Sequence, residues 1–191
     1  MSPADTILEM FEIVDEAGQV IGVAPRRQCH GNPALIHRSV HVIVLSRDGR
    51  ILLQKRSADK DIQPGKWDTA VGGHLLPGED YEAAARRELN EEIGLPASTP
   101  LQATFTLKVR NAIESENVQV FLAVSDGPFQ AQASEIDELR FWTWPEIDAG
   151  LQAAIFTPIL VQELAELRTK PPLRATPPAI STSSHDELPA P

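Results

Sequence analysis

The sequence predicts an α/β domain in which helices pack against a mixed central sheet. Segments with strand patterns and segments with helical periodicity are interleaved along the chain without strict alternation, which favours this class. The chain has 191 residues, 42% of them hydrophobic, which is enough for one domain with a buried core and leaves little room for two. Its single cysteine, Cys29, excludes an intramolecular disulfide, so the stability must come from that core.

The first predicted elements are strands. Two short strands, at about residues 11–14 and 20–24, flank the turn sequence EAGQ. After a loop containing Gly31, Asn32 and Pro33, the clearest hairpin consists of VHVIVLS, the turn RDGR and ILLQKR, over residues 40–56. Glycine and proline punctuate residues 59–78, which we interpret as a long loop with a short strand at residues 69–71. Loops of this length inside compact domains are usually functional.

The second half of the chain predicts a helix, three strands and a final helix. The helix spans residues 80–93, since acidic residues occupy its first turn and Gly94-Leu95-Pro96 supplies a stop signal. Strands ATFTLKV and VQVFLAV flank a polar turn at residues 111–116. A strand ending in FWTW, whose tryptophans we interpret as packing residues, and a helix over about residues 158–167 complete a domain of residues 1–169. Residues 170–191 contain six prolines and few large apolar side chains, which predicts a disordered tail.

The charge and the hydropathy pattern argue against several classes of partner. Acidic residues number 27 against 17 basic ones, for a formal net charge of −10. Such a surface repels a phosphate backbone on average, so we expect no nucleic-acid partner. The N-terminal residues lack a basic region before an apolar one, and no run of about 18 apolar residues occurs. We therefore expect no signal peptide, no membrane association and a cytoplasmic location.

The predicted helix over residues 80–93 concentrates carboxylates on one face. Each helical residue turns the side chain by about 100°. The i, i+4, i+8 positions form an apolar stripe of Ala85, Leu89 and Ile93, and the adjoining face carries Glu88, Glu91 and Glu92. Like charges at this spacing weaken an isolated helix by roughly 0.2–0.5 kcal/mol per pair. A cation at this face would offset that cost, whereas a solvated acidic face is the ordinary alternative.

The residues around this face favour the cation. Residues 73–95 have the sequence GHLLPGEDYEAAARRELNEEIGL, in which fixed spacings separate Gly73, Glu79, Arg87-Glu88-Leu89, Glu91-Glu92 and Gly94-Leu95. This segment matches the signature of the Nudix hydrolases at all nine specified positions, seven of them identities and two of them apolar classes. The chain therefore resembles that family. The resemblance implies the Nudix fold, an α/β/α sandwich, and also allows the homodimer that family members often form.

The resemblance also implies a chemistry that suits these residues. Carboxylate oxygens on a rigid helix suit Mg²⁺ or Mn²⁺, which in turn bind the oxygens of a diphosphate. In this family the metal would be held by Glu88, Glu91, Glu92 and the backbone carbonyl of Gly73, while Glu79 and Arg87 would tie the loop to the helix. The expected reaction is substitution at phosphorus. The general base differs among family members and is not assigned.

Three further blocks resemble one branch of the superfamily, the type I isopentenyl-diphosphate isomerases and related hydrolases. The blocks are residues 30–42, 52–74 and 114–121. The resemblance implies a second divalent-metal site, because five isomerase metal ligands have counterparts in His30, His37, His74, Glu114 and Glu116. Taken singly, each histidine is more typical of a surface or hydrogen-bonded position. Glu114 and Glu116 lie two residues apart, so on an extended segment they would point the same way.

Other matched positions bear on the substrate and on the reaction. Arg56 and Lys60 match positions that bind diphosphate in the isomerases, with ordinary surface charge as the alternative. The isomerases also use a cysteine in the loop before the signature and a tryptophan in the late helix, where this chain has Gly72 and Ile159. Glycine supplies no acid, and an aliphatic side chain has no π-face to stabilise a carbocation. His41 has no isomerase counterpart, and we interpret it as structural.

These observations order three hypotheses. The first is a metal-dependent Nudix pyrophosphohydrolase that acts on a nucleoside diphosphate derivative or a similar small diphosphate. The second is isopentenyl-diphosphate isomerisation, which the His/Glu set suggests and the missing cysteine opposes. The third is a non-catalytic Nudix domain that senses a diphosphate, a type that usually comes fused to a DNA-binding module. The sequence contains no helix-turn-helix candidate or basic face that would support it.

Overall fold

The structure is a computed structural model that describes residues 9–60 and 62–170. Apart from Lys170, the segment predicted to be a disordered tail lies outside these residues, and that prediction stays untested. The described part of the chain contains nine strands and four helices. None of these helices is long and apolar enough to cross a membrane.

The elements follow one another as two strands, a helical turn, four strands, a helix, three strands and two helices. The strands are β1 (Met10–Val14), β2 (Val20–Pro25), β3 (Ile36–Leu45), β4 (Ile51–Arg56), β5 (Trp67–Thr69), β6 (Val71–His74), β7 (Gln102–Arg110), β8 (Ser115–Val124) and β9 (Ile136–Trp142). The helices are α1 (Arg26–Cys29), α2 (Tyr81–Ile93), α3 (Trp144–Gln152) and α4 (Pro158–Thr169).

Strand β3 organises the sheet. It pairs antiparallel with β1, β4 and β6 and parallel with β8 over all ten of its residues. Strand β8 pairs with β7, and β4 pairs with both β5 and β9. The result is the mixed central sheet that the sequence predicts. The near-continuous burial of β3 is typical of a strand covered on both faces.

Apolar side chains cover both faces of this sheet. Successive strand residues point to opposite faces. Val40, Val42 and Val44 join the cluster that contains the apolar side of α2, whereas Ile43 joins the cluster that contains residues of α3 and α4. The sheet therefore lies between helices, and the predicted α/β/α sandwich is confirmed.

Helix α2 has the ends and the buried stripe that its sequence predicts. The Asp80 side chain accepts a hydrogen bond from the Ala83 N–H at 2.8 Å and caps the N-terminus. Gly94 ends the helix at φ 72°, a left-handed conformation that glycine adopts without a steric penalty. The predicted apolar stripe of Ala85, Leu89 and Ile93 is fully buried. Packing of this stripe turns the adjoining carboxylate face toward β6.

Several predicted boundaries are wrong. The strand expected at residues 69–71 is interrupted at Ala70, so that β5 and β6 pair with different neighbours, β4 and β3. The turn expected at residues 111–116 ends earlier, because Glu116 lies in β8. Trp144 does not end a strand and instead begins helix α3, which the prediction omits. A Thr143/Glu146 capping box with proline in the first turn marks this helix in the sequence.

Candidate active site

Arg87 joins helix α2 to the loop that precedes it. Its guanidinium group donates to both carboxylate oxygens of Glu79, at 3.0 and 2.9 Å, and to the backbone carbonyl of His74 at 3.0 Å. Nε and NH2 share the Glu79 contact, which is the planar bidentate arrangement that arginine favours. The Arg87–Glu79 pair that the family resemblance implies is thus formed, and it holds the end of β6 against the helix.

The three signature carboxylates of α2 occupy different environments. Glu88 receives a hydrogen bond from Arg87 at 2.6 Å, and Glu91 is about half exposed and lies 3.3 Å from the same guanidinium. Glu92 is buried and accepts from Gln54 Nε2 at 3.2 Å and from the backbone N–H of Gly72 at 3.3 Å. All three line one cleft.

Glycine at position 73 allows Glu88 to lie against the backbone of β6. A Cβ atom at Gly73 would come within 2.6 Å of Glu88 Cγ, and closer still to its carboxyl group. Side-chain carbon atoms normally approach no closer than about 3.5 Å. The glycine therefore creates the space in which the Glu88 carboxylate sits beside the residue whose carbonyl the family resemblance suggests as a ligand.

Burial makes the charged forms of two of these carboxylates costly. It raises the pKa of Glu88 to about 7, against the opposing effect of Arg87 and with a contribution from Glu91. It raises the pKa of Glu92 to about 8, and the charge of Glu88 adds to this rise. A divalent cation among these oxygens would stabilise the charged forms. The donor set, hard oxygen atoms on a rigid helix, fits Mg²⁺ or Mn²⁺.

A second cluster lies where β3, β6 and β8 meet. Within 4.8 Å of one another lie one ligand atom from each of His30, His37, His74 and Glu116. Glu116 contacts His37 Nε2 and His74 Nε2 at 3.2 Å each and accepts from Ser39 Oγ at 2.8 Å. The structure thus brings together four of the five side chains that the isomerase resemblance suggests.

Glu114, the fifth, is not among these mutually close atoms. It precedes β8, is half-buried, lines the same cleft and accepts from Asn111 Nδ2 at 3.4 Å. Burial raises the pKa of Glu114, and the charge of Glu116 adds to the rise. A cation in the cluster would oppose both effects.

The ionisation of the cluster reflects its burial. Burial lowers the pKa of His74 to about 3, despite the neighbouring carboxylate. Burial alone would raise the pKa of Glu116, but hydrogen bonds from His37 and His74 hold it well below its usual value. A neutral His74 imidazole facing an ionised Glu116 carboxylate has the protonation states that a divalent metal requires of its ligands.

Arg56 and Lys60 line the same cleft and have partners within the protein. The Arg56 guanidinium donates to the Ile62 carbonyl through Nε and NH2 and to Asp68 Oδ2 through NH1 at 3.1 Å. The Lys60 ammonium group contacts Glu135. Guanidinium and ammonium groups have five and three N–H donors, so each side chain keeps donors beyond these contacts.

Sequence reasoning missed one polar network in the cleft. His41 Nδ1 lies 2.6 Å from Oε1 of Glu163 on helix α4, and Thr69 Oγ1 donates to Oε2 of the same carboxylate. A sequence signal for Glu163 exists, because it shares the buried side of α4 with Leu160, Leu164 and Leu167. An acid on an apolar helix stripe indicates a buried partner.

Both clusters and the His41 network border a single cleft of about 1220 Å³. It extends from the carboxylate face of α2 past Gly72 and Gly73 to the His/Glu cluster, with Arg56 and Lys60 on its wall. Its lining includes residues of strands β3 to β8, of helices α1, α2 and α4, and of the loops that follow β4, β7 and β8. Carboxylate, imidazole and cationic groups therefore line the same cleft.

Comparisons with known proteins agree with this architecture. Residues 35–160 match the family model described as the NUDIX domain. An uncharacterized Nudix hydrolase of Yersinia pestis is 37% identical over 163 residues, which cover 83% of this chain and 85% of that protein. An isopentenyl-diphosphate Delta-isomerase of Nocardia farcinica is 34% identical, over 80% of this chain and 91% of that protein.

A crystal structure of the DR0079 protein from Deinococcus radiodurans superposes with a TM-score of 0.71. The match covers 85% of this chain and all of that chain at 23% identity, so it supports the fold alone. The family match spans strands β3 to β9 and helix α2 with its complete signature. On these grounds the chain belongs to the Nudix family and is a hydrolase.

Proposed function

We propose that the protein is a metal-dependent pyrophosphohydrolase that cleaves the diphosphate linkage of a nucleoside diphosphate derivative or a similar small molecule. The observation that carries this proposal is the complete signature with Glu92 buried and the Glu88 side chain only 13% exposed at the wall of the cleft, beside Gly73. Buried carboxylates with raised pKa values, facing a cleft, are typical of functional sites.

Different residues of the cleft would bind the metal, position its ligands and bind the phosphate groups. Glu88, Glu91, Glu92 and the carbonyl of Gly73 would hold Mg²⁺ or Mn²⁺, which when bound neutralises phosphate charge and acidifies water. Arg87 fixes the orientation of Glu88 through the 2.6 Å contact and anchors the loop through Glu79. The remaining donors of Arg56 and Lys60 would bind phosphate oxygens.

The size of the cleft supports a substrate larger than inorganic diphosphate. Ligand pockets commonly have volumes of about 300–1,000 Å³. At about 1220 Å³ this cleft accommodates a diphosphate together with a nucleoside or another substituent of similar size. We expect the diphosphate end of the substrate to lie near the α2 carboxylates, which would hold the metal.

A substrate screen with one variant and one control tests the proposal. The full chain with Mg²⁺ would be incubated with nucleotides, nucleotide sugars, dinucleoside polyphosphates, coenzymes and isoprenoid diphosphates, and products would be followed by ³¹P NMR. We expect Glu92→Gln to lower the rate by about 10²–10⁴-fold, as loss of a carboxylate that transfers protons or holds metal does. Glu82→Gln, on the exposed first turn of the same helix, is the matched control.

The result that would refute the proposal is equally clear. A Glu92→Gln protein with the circular dichroism spectrum and thermal midpoint of the parent, hydrolysing diphosphates at the parental rate, would exclude a role for the signature. A parent that hydrolyses no diphosphate in the screen would exclude the activity itself.

The His/Glu cluster supports two further proposals, a second divalent-metal site and a second candidate function. Three imidazoles and a carboxylate, with Glu114 nearby, suit Mn²⁺, Zn²⁺ or a similar ion. Isothermal titration with Mn²⁺ should give two sites in the parent and one in Glu116→Gln. Equal stoichiometry in the two proteins would exclude the second site.

Isopentenyl-diphosphate isomerisation is the second candidate function, because the same cluster occurs in a chain 34% identical to a protein named as that isomerase. Gly72 opposes it, since glycine supplies no acid for protonation of a double bond. Incubation with isopentenyl diphosphate in D₂O decides the question. Deuterium incorporation together with the dimethylallyl product would establish isomerisation, and absence of both would exclude it.

A further inference from the structure

The His41–Glu163 pair borders the cleft through His41 and has no role in the chemistry described above. His41 is on the central strand β3, where it is the antiparallel partner of Gly72 in β6. Glu163 comes from helix α4, 122 residues later, and is fully buried. Both oxygens of the Glu163 carboxylate are occupied, one by His41 Nδ1 and the other by Thr69 Oγ1. The carboxylate is therefore held from two sides.

The second ring nitrogen of His41 faces the cleft. Nδ1 is committed to Glu163, and no described residue forms a hydrogen bond with Nε2. A Cβ atom at Gly72 would lie 3.1 Å from Nε2 and from Cδ2, so this edge of the ring borders the space that a side chain at position 72 would fill. His41 and Gly72 both line the cleft next to Gly73 and Glu92.

Glu163 determines what this nitrogen presents to a ligand. Burial alone would lower the pKa of His41, but the charge and hydrogen bond of Glu163 raise it to about 9. At neutral pH the ring then carries a proton on each nitrogen. Its Nε2–H is a charge-assisted donor in a partly desolvated site, where such donors bind anionic oxygens strongly.

We propose that His41 is a substrate-contacting residue that donates a hydrogen bond from Nε2 to a phosphate oxygen of the diphosphate, with Glu163 as the residue that positions the ring. The inference rests on the proposed function, because the ligand is the diphosphate that the α2 carboxylates would bind through metal. Gly72 leaves the approach to Nε2 open. Where the isomerases carry a cysteine side chain, this chain thus presents an imidazole from the neighbouring strand.

Binding of methylenediphosphonate, a non-hydrolysable diphosphate, tests the contact without turnover. The Mg²⁺-loaded full chain would be titrated by calorimetry, and the histidine side chains would be followed by ¹⁵N NMR, with His41 assigned from His41→Gln. We expect a shift of the His41 Nε2 resonance in the parent on binding, and affinity about 10–100-fold lower in His41→Gln, as for loss of a charged hydrogen bond.

Two other variants distinguish loss of the hydrogen bond from His41 Nε2 from loss of the folded structure. Gly72→Ala leaves His41 and Glu163 in the chain and places a methyl group 3.1 Å from Nε2, so we expect weaker binding, with the thermal midpoint measured to show that the variant is folded. Glu163→Gln removes the positioning charge, and should weaken binding and lower the apparent pKa of His41 in an NMR titration. Glu166→Gln, exposed on the same helix, is the matched control and should bind like the parent.

The outcomes distinguish this inference from the proposed function. Parental affinity in His41→Gln, together with an Nε2 resonance that methylenediphosphonate does not shift, would overturn the His41 contact and leave the hydrolase proposal standing. A parent that neither binds methylenediphosphonate nor hydrolyses any diphosphate would overturn both.

Discussion

Replacing Gly73 by alanine should weaken metal binding at helix α2 while leaving the protein folded. The added methyl group would come within 2.6 Å of Glu88 Cγ and closer to the carboxyl group. Normal contact between carbon atoms requires about 3.5 Å, so the Glu88 side chain must move by at least about 1 Å. Gly73 has no positive φ, and alanine therefore introduces no backbone strain at this position.

The size of this movement sets the expected effect. Metal–ligand distances tolerate about 0.2 Å, and Mg²⁺ requires near-ideal octahedral geometry. A ligand displaced by about 1 Å or more no longer coordinates the metal. We therefore expect Mg²⁺ affinity to fall by at least roughly 10–100-fold, which is the loss typical when a residue that only hydrogen-bonds to a metal ligand is mutated. The free energy of unfolding should change by less than about 1 kcal/mol, because glycine-to-alanine changes also restrict the unfolded chain.

Calorimetric titration with Mg²⁺, paired with urea unfolding of the metal-free protein, measures both quantities. Gly22→Ala is the matched control, since its Cβ would meet no atom within 4 Å and it lies on the edge strand β2. Unchanged Mg²⁺ affinity in Gly73→Ala would refute the assignment of Glu88 as a ligand. A large loss of stability would instead show that Glu88 cannot yield to the methyl group.

Three further predictions concern stability. His41 has a folded pKa of about 9, above the unfolded value of about 6.5, so its contribution is complete below pH 6.5 and is lost as the pH rises through 9. Urea unfolding should show the parent losing about 3 kcal/mol relative to His41→Gln between pH 6 and pH 9.5, and an equal difference at both values would contradict the ion pair with Glu163. Arg87→Met should cost roughly 3 kcal/mol by leaving Glu79 and its neighbours without a counter-charge, and a thermal midpoint like the parent's would argue against this role. Leu89→Ala should cost about 2–5 kcal/mol in urea unfolding because Leu89 is fully buried, and a smaller loss would indicate that the cluster around α2 collapses into the space.

The features of helix α2 can be predicted from local sequence patterns. Its span, its cap at Asp80, its stop at Gly94 and its buried stripe follow from residues within a few positions of one another. Helix α3 also has a local signal, the Thr143/Glu146 capping box, but the aromatic alternation in FWTW imitates a strand that runs through Trp144. The broken strand at Ala70 was not visible, because the break arises from pairing with two different strands.

In the candidate site, too, some features are local in sequence and others depend on residues that are distant in sequence. The spacing of Glu88, Glu91 and Glu92 is local to one helix, and the His/Glu cluster could be suggested only by resemblance, since its members come from separate strands and loops. The interpretation of His41 as structural was incomplete. It does form a buried pair, but with a residue on the last helix, and the same ring also lines the cleft.

The sequence by itself determined the class of the fold, the carboxylate face of α2 and the glycines that flank it, because helix periodicity and the signature spacing depend on neighbouring residues. Tertiary structure alone decided that Glu163 meets His41, that a methyl group at Gly73 would strike Glu88, and that Arg56 and Lys60 line the same cleft as the His/Glu cluster. These contacts depend on strand register and on the packing of α4 across the sheet. Strand register and helix packing both depend on which side chains the whole domain buries. A short stretch of sequence does not carry that information.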